Sequence, residues 1–180
     1  MDFTQTYFQV FQLDTSFQID QQALAQRFHE LQLSVHPDKY VSSSDQEKRL
    51  AVQWSTQINV AFDTLKDPLL RAIYLLSLKG IKLEANPNLS PIFLMSQVEL
   101  RETLEDIEAL GEPGLDKLDQ FKKEIKSSMR LVESKFDKIY SAVDSESTSE
   151  EKATQLVYEL QFTNKLLIAA KQVEEKLLDY

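Results

Sequence analysis

The chain has 180 residues, with no cysteine, three glycines and five prolines, and its 29 acidic residues outnumber its 20 basic ones. The lack of cysteine excludes disulfides, thiolate metal sites and cysteine nucleophiles, and the scarcity of glycine and proline argues against an all-β fold. A net charge of −9 disfavours nucleic acid or an anionic membrane as the main partner, and no apolar stretch is long enough to span a bilayer.

The first third of the sequence predicts short helices around a turn. An aromatic-rich opening, residues 3–13, is followed by a helix that runs from an N-cap at Asp20 to about Val35. Its apolar residues recur at steps of three and four, as expected for one buried stripe. They are Leu24, Phe28, Leu31 and Val35. The pair His36-Pro37 ends the helix, because a residue before proline is disfavoured in the α region.

Two more helices are predicted before residue 80. Ser44 and Glu47 form a capping box at the start of a long helix, whose apolar stripe again has steps of three and four. The stripe consists of Leu50, Trp54, Ile58, Ala61 and Leu65. Asp67-Pro68 is typical of an N-cap and first helical position, and the apolar segment that follows ends at Gly80.

The composition changes between Gly80 and Ser90, and three longer helices are predicted beyond it. The first runs from Ser90-Pro91 to Leu110, and the second carries an apolar stripe from Leu115 to Val143. A polar turn at 144–149 and a capping box of Thr148 and Glu151 precede the last helix, which reaches about Leu178. The sequence therefore predicts an all-α fold, with an N-terminal module at 1–79, a linker at 80–90 and a three-helix bundle at 91–180.

The tripeptide His36-Pro37-Asp38 lies between two amphipathic helices. It could be a plain helix stop, and a His-Asp pair could also suggest acid–base chemistry or a metal site. No third ligand lies close in sequence, and no phosphate loop, nucleophile elbow or zinc-protease motif occurs. An aromatic-rich first helix, a helix ending at His-Pro-Asp, a serine-rich loop and a further helix resemble, in this order, a J domain. The resemblance implies that the turn stimulates ATP hydrolysis by a DnaK-type chaperone.

The resemblance covers nearly the whole chain. The segments 74–78, Phe93–Glu102 and 174–180 are similar to those of the HscB family, the J-domain co-chaperones of iron–sulfur cluster assembly. Membership implies that the J domain engages a specialised DnaK-type chaperone, HscA-like, and that the C-terminal bundle binds an IscU-like scaffold protein. It implies no cofactor, no bound metal and no catalytic residue in this chain.

The predicted helix that starts at Pro91 has two apolar faces. One carries Phe93, Leu100, Leu104 and Ile107, which we expect to face the bundle core. Leu94, Met95 and Val98 lie off that face beside acidic residues, as in a protein-binding surface. The last helix also has two stripes. Leu160, Leu167 and Leu178 form one, and Phe162, Leu166, Ala169 and Val173 form the other. The extra stripes could be buried, but the resemblance favours the surface and implies scaffold contacts. The implied contact residues are Leu94, Met95, Val98, Glu99, Glu102 and Phe162.

The helix before His36 departs from the usual J-domain pattern, in which a basic face docks on the chaperone. Arg27 is its single full positive charge, and Leu33 and Ser34 stand where basic residues are common. Val35 replaces the usual tyrosine. We expect Arg27 and Lys39 to assist docking of the His36-Pro37-Asp38 turn, with weaker electrostatic steering than in general-purpose J proteins.

The leading hypothesis is a non-enzymatic co-chaperone that delivers a scaffold protein to an ATPase chaperone. An adaptor for a different client and a helical enzyme using His36 and Asp38 are the alternatives. The opening residues lack the basic start and apolar run of a secretory signal, so we expect a cytoplasmic protein.

Overall fold

The structure is a computed structural model that describes residues 4–85, 87–142 and 147–178. Within these ranges the chain is helical and contains no strand, which confirms the predicted all-α fold. The helices are α1 (Tyr7–Val10), α2 (Gln21–Ser34), α3 (Asp45–Lys66), α4 (Pro68–Leu78), α5 (Pro91–Ala109), α6 (Leu115–Ser141) and α7 (Ser147–Leu178). Short 3₁₀ turns occupy Pro37–Tyr40 and Glu112–Gly114. Over the same ranges, no helix combines the length and apolar character needed to cross a membrane.

The helices form two compact units, Met1–Gly80 and Ile81–Tyr180. Of the predicted linker, 80–90, the part from Ile81 onward belongs to the second unit, with a buried Leu89 and a hydrogen bond of 2.6 Å from the Glu84 N–H to the Tyr158 hydroxyl. The finer division into domains at 79 and 91 stays a prediction.

The helix starts of the first unit follow the capping signals in the sequence. The Asp20 carboxylate accepts hydrogen bonds from two backbone N–H groups of the first turn of α2, at 2.8 and 3.0 Å. The capping box of Ser44 and Glu47 at the start of α3 is formed in both directions. Asp67 caps α4 by accepting from the Leu70 N–H at 2.9 Å. These groups satisfy backbone donors that a helix start leaves unpaired.

The aromatic opening forms the short helix α1: Phe8 and Phe11 are fully buried, and Tyr7 stacks on Tyr74 with ring centroids 4.3 Å apart. One detail of α3 differs from the expectation. Leu50 is exposed, and its neighbour Ala51 is the first buried residue of the α3 stripe. Both positions fit the helical period, because Leu50 lies four residues and Ala51 three residues before Trp54, but only Ala51 is buried.

A buried arginine joins three segments of the first unit. The Arg71 guanidinium on α4 donates a hydrogen bond to the Leu65 carbonyl and lies over the Phe17 ring, 5.0 Å from its centroid. Leu65 is in the last turn of α3, where carbonyl groups lack intrahelical partners. Arg71 therefore closes the end of α3 while covering an aromatic ring of the N-terminal segment.

We expect Arg71→Met to lower the free energy of unfolding by about 1–3 kcal/mol, because it keeps an unbranched apolar stem but leaves a buried carbonyl without its donor. The fluorescence of the single tryptophan, Trp54 on α3, follows unfolding of this unit in urea. Arg27→Met is the matched control, since Arg27 is exposed in a surface ion pair with Glu30. Equal midpoints for the two variants would contradict the structural role of Arg71.

The second unit is built around a core shared by α5, α6 and α7. Ser90 caps α5 by accepting from the Phe93 N–H at 3.1 Å. Gly114 allows the α5–α6 connection to approach closely, since a Cβ there would lie 2.5 Å from the Ile107 carbonyl oxygen. The core cluster consists of Leu104, Ile107, Leu118, Phe121, Ile125, Leu166, Ala170, Val173 and Leu177.

The ends of α6 and α7 differ slightly from the prediction. The described part of α6 ends at Ser141, and Val143 and the first half of the predicted turn, 144–146, lie outside the described residues, as does Phe3 at the start of the chain. Helix α7 begins at Ser147, so the backbone of Thr148 is inside the helix and does not precede it. The side chain of Thr148, and with it the predicted capping box, lies outside the described part.

Glu159 on α7 is half-buried, and this burial raises the pKa of its carboxyl, while Lys135 opposes the rise. A carboxyl with a raised folded-state pKa contributes stability below its unfolded pKa, near 4.3, and loses that contribution as the pH rises through the folded pKa. We therefore expect Glu159→Gln to stabilise the protein at pH 7 and to have no effect near pH 3.5. Urea unfolding followed by circular dichroism measures the change in stability at both pH values. Glu151→Gln is the control, because Glu151 is exposed on the same helix. A destabilised Gln variant at pH 7 would contradict this.

Candidate docking surfaces

The first surface is the turn between α2 and α3. His36 leaves α2 in an extended conformation, with φ −59° and ψ 133°, and Pro37 begins the 3₁₀ turn. The Asp38 N–H donates to the His36 Nδ1 at 3.3 Å, and the Lys39 N–H donates to the His36 carbonyl at 3.0 Å. The Tyr40 hydroxyl donates to the Ser34 carbonyl at 3.4 Å, which ties the end of the turn back to α2.

The two polar side chains on either side of Pro37 point to solvent. The side chains of His36 and Asp38 are 54% and 87% exposed, and the His36 Nδ1 lies 3.5 Å from an Asp38 carboxylate oxygen. Because Nδ1 accepts a hydrogen bond, the neutral ring carries its proton on Nε2. The turn thus offers a partner one N–H donor and one carboxylate acceptor on a short, locally bonded backbone. Within the described ranges, no three histidine, aspartate or glutamate side chains come together in a way that could hold a metal ion.

The two predicted basic contacts are placed differently. Lys39 is exposed within the turn itself. Arg27 lies nine residues before His36 on α2, a rise of about 13 Å along a helix, and its guanidinium pairs with Glu30 at 3.0 Å. A hydrogen bond from Gln26 and the pairing with Arg27 lower the pKa of the Glu30 carboxyl. The structure brings Lys39 to the turn and leaves Arg27 apart from it.

An apolar groove beside the turn was missed by the sequence analysis. It has a volume of about 470 Å³ and lies between the turn and α3. The lining residues are Val35, Tyr40, Val41, Lys48, Ala51, Val52, Ser55 and Thr56. Val41 and Val52 are exposed apolar residues outside the predicted core stripes, and they were the only sequence signal for this groove. A protein that contacts His36 and Asp38 can also reach this groove.

The second surface is on α5. Leu94, Met95 and Val98 are 43%, 68% and 54% exposed, whereas Leu104 and Ile107 on the opposite side are buried in the core. Phe93 and Leu100, predicted on the core side, are half-buried. Glu99 and Glu102 are exposed beside the apolar residues. An exposed apolar cluster with an acidic border is therefore present where the sequence predicted it.

Helix α7 contributes less to this surface than expected. Leu166 and Val173 are buried in the core, so their assignment to a surface stripe was wrong, and Leu178, placed on the other stripe, is exposed. Because helix α7 packs against both α5 and α6, residues from both of its apolar stripes are needed to fill the two contacts. Phe162 is half-buried, with its ring edge-to-face on Phe93 at a centroid distance of 5.8 Å. Phe162 is thus held at the border of the apolar cluster.

An exposed His-Pro-Asp turn between the helices of one unit and a separate three-helix bundle define the class of this protein: it is a J-domain co-chaperone. Residues 89–171 match the family model of the HscB C-terminal oligomerisation domain. The chain is 38% identical, over 96% of its length and 99% of the relative's, to a co-chaperone protein HscB homolog from Shewanella woodyi. The chain belongs to the HscB family, the J-domain co-chaperones of iron–sulfur cluster assembly.

Solved structures agree with this assignment. The chaperone HscB from Vibrio cholerae superposes with a TM-score of 0.84 at 34% identity, covering 96% of this chain and 99% of that one. Human co-chaperone protein HscB gives a TM-score of 0.84 at 25% identity, covering 100% of this chain and 86% of that one. The Jac1 co-chaperone from Saccharomyces cerevisiae gives 0.71 at 25% identity, covering 96% and 95%.

Proposed function

We propose that this co-chaperone delivers an IscU-like scaffold protein to an HscA-like, DnaK-type chaperone and stimulates the ATPase of that chaperone. The observation that carries the proposal is the presence, in one chain, of an exposed His36-Pro37-Asp38 turn and an exposed apolar cluster on a different compact unit. We place the protein in the cytoplasm, with no enzymatic activity of its own.

The chaperone docks on the turn. His36 Nε2–H and the Asp38 carboxylate contact polar and charged groups of the ATPase, Lys39 adds one nearby charge, and the apolar groove beside the turn takes an apolar side chain of the chaperone. Arg27 contributes steering at longer range. Pro37 restricts the backbone, so less conformational freedom is lost when the turn binds.

The scaffold docks on the bundle. Leu94, Met95 and Val98 form the apolar centre, Phe162 adds an aromatic edge, and Glu99 and Glu102 form an acidic rim. With the scaffold held on the same chain as the turn, its effective concentration near the chaperone rises. Accelerated hydrolysis then traps the scaffold in the tight-binding state of the chaperone.

The proposal is tested by steady-state ATP hydrolysis with purified components. The chain alone should show no turnover, the chain with an HscA-like chaperone should exceed the chaperone's basal rate, and addition of an IscU-like scaffold should raise the rate further. Turnover without chaperone would support the helical enzyme. Stimulation by a chain that does not bind the scaffold would support the adaptor for a different client.

A further inference from the structure

Two grooves of different charge border α5 beyond the apolar cluster, toward the C-terminal end of the helix. The groove between α5 and α6 has a volume of about 560 Å³ and carries three carboxylates, Asp106, Asp116 and Glu124, against the single Lys117. The groove between α5 and α7 is lined by three cations, Arg101, Lys165 and Lys176, together with Glu105 and Glu108. The two sides of this half of α5 therefore differ in the sign of their charge.

Two of these cations are close to the apolar cluster. Arg101 follows Leu94 by seven residues, which is two helical turns, and so lies on the same side of α5. The Lys165 ammonium lies 5.6 Å from the centroid of the Phe162 ring. Glu99 and Glu102 lie about 160° and 100° around α5 from Arg101, so both point away from the cationic side of the helix.

Neither cation is neutralised by a carboxylate in the described part of the chain. Lys176 pairs with Glu108 at 2.8 Å and Lys122 pairs with Glu174, whereas Arg101 and Lys165 form no ion pair there. Two carboxylates, Glu105 and Glu108, line the same groove, and Glu108 pairs there with Lys176.

We propose that Arg101 and Lys165 form a cationic edge that binds carboxylate side chains of the scaffold, opposite the acidic edge of Glu99 and Glu102. This inference rests on the proposed scaffold binding and specifies the chemistry of the partner: an apolar centre with a basic edge and an acidic edge. A surface with two edges of opposite sign fixes orientation, because a partner rotated by half a turn meets like charges on both edges. Lys165 also covers one face of Phe162, and Phe93 meets the same ring edge-to-face.

The test measures the dissociation constant of the full chain for an IscU-like scaffold protein. The double variant Arg101→Glu, Lys165→Glu should bind at least about tenfold more weakly. The matched control is Lys126→Glu, Lys171→Glu, which changes the net charge equally at two exposed lysines outside both grooves and should bind within about threefold of wild type. The variant Lys165→Met, which keeps the stem over Phe162 and removes the charge, should fall between them.

Rescue identifies the carboxylate. An Asp→Lys or Glu→Lys change at one scaffold position should restore binding of the double variant while weakening that of wild type. If wild-type chain binds the scaffold and the double variant binds no worse than the control, the cationic edge is refuted and the proposed function stands. If the wild-type chain does not bind the scaffold, both the cationic edge and the proposed function are refuted. If the double variant fails to fold, Lys165→Met tests the proposal instead. Wild-type affinity of Lys165→Met for the scaffold would refute the contribution of the Lys165 charge.

Discussion

Replacing His36 by glutamine is expected to reduce stimulation of the chaperone ATPase to the unstimulated rate. Glutamine has no ring that fixes the direction of an N–H donor. Its flexible side chain also replaces a ring whose Nδ1 accepts from the Asp38 N–H at 3.3 Å and whose Nε2–H is free to point outward. Folding should be preserved, because the side chain is exposed and the turn is also closed by the Lys39 N–H and the Tyr40 hydroxyl.

The chain provides its own control for this experiment. His29 is the second of its two histidines and is exposed on α2, outside the turn. His29→Gln should leave ATPase stimulation unchanged, and both variants should bind the scaffold like wild type, since the proposed scaffold site is on the other unit. Full stimulation by His36→Gln would remove the turn from the chaperone interface.

Truncation of Leu94, Met95 and Val98 to alanine is expected to weaken scaffold binding by at least about 3 kcal/mol, which is more than a hundredfold, because central apolar anchors dominate protein interfaces. The free energy of unfolding should change little, since all three side chains are exposed. Phe162→Ala should weaken binding and also destabilise the bundle, because its ring packs on Phe93. Isothermal titration calorimetry and urea unfolding separate the two effects.

Exposed apolar residues elsewhere on the bundle give the matched control. Leu131 on α6 and Ile168 on α7 are 64% and 47% exposed, comparable to the α5 residues. Their replacement by alanine should leave scaffold affinity within about threefold of wild type. Equal losses in the α5 variant and the control, or a strongly destabilised α5 variant that retains its affinity, would mean that the apolar cluster is not the scaffold site.

Local signals in the sequence were enough to predict most of the fold. The caps at Asp20, Ser44, Asp67 and Ser90 are side chains that satisfy nearby backbone donors, so their effect depends little on distant parts of the chain. The His36-Pro37-Asp38 turn was also predictable from local sequence, because the ring of a proline disfavours the α conformation of the residue before it.

The parts that could not be predicted depend on packing between helices. Periodicity shows that α7 has two apolar stripes, but whether Leu166 is covered depends on where α5 and α6 lie. The contact of Phe162 with Phe93, the position of Lys165 over the ring and the groove beside Val41 all join residues far apart in the sequence. Of the proposed site, the turn, the apolar cluster and its acidic border were predicted, while the cationic edge required the structure.

The proposed coupling of the two surfaces through one chain is tested most directly by mixing two full-length variants. The His36→Gln variant retains the scaffold surface, and the Leu94, Met95, Val98 triple alanine variant retains the turn. At limiting scaffold concentration, an equimolar mixture should fail to restore the additional ATPase stimulation that wild type shows with chaperone and scaffold, because neither chain holds both partners. A mixture as active as wild type would show that the two surfaces act independently and would contradict delivery by a single chain.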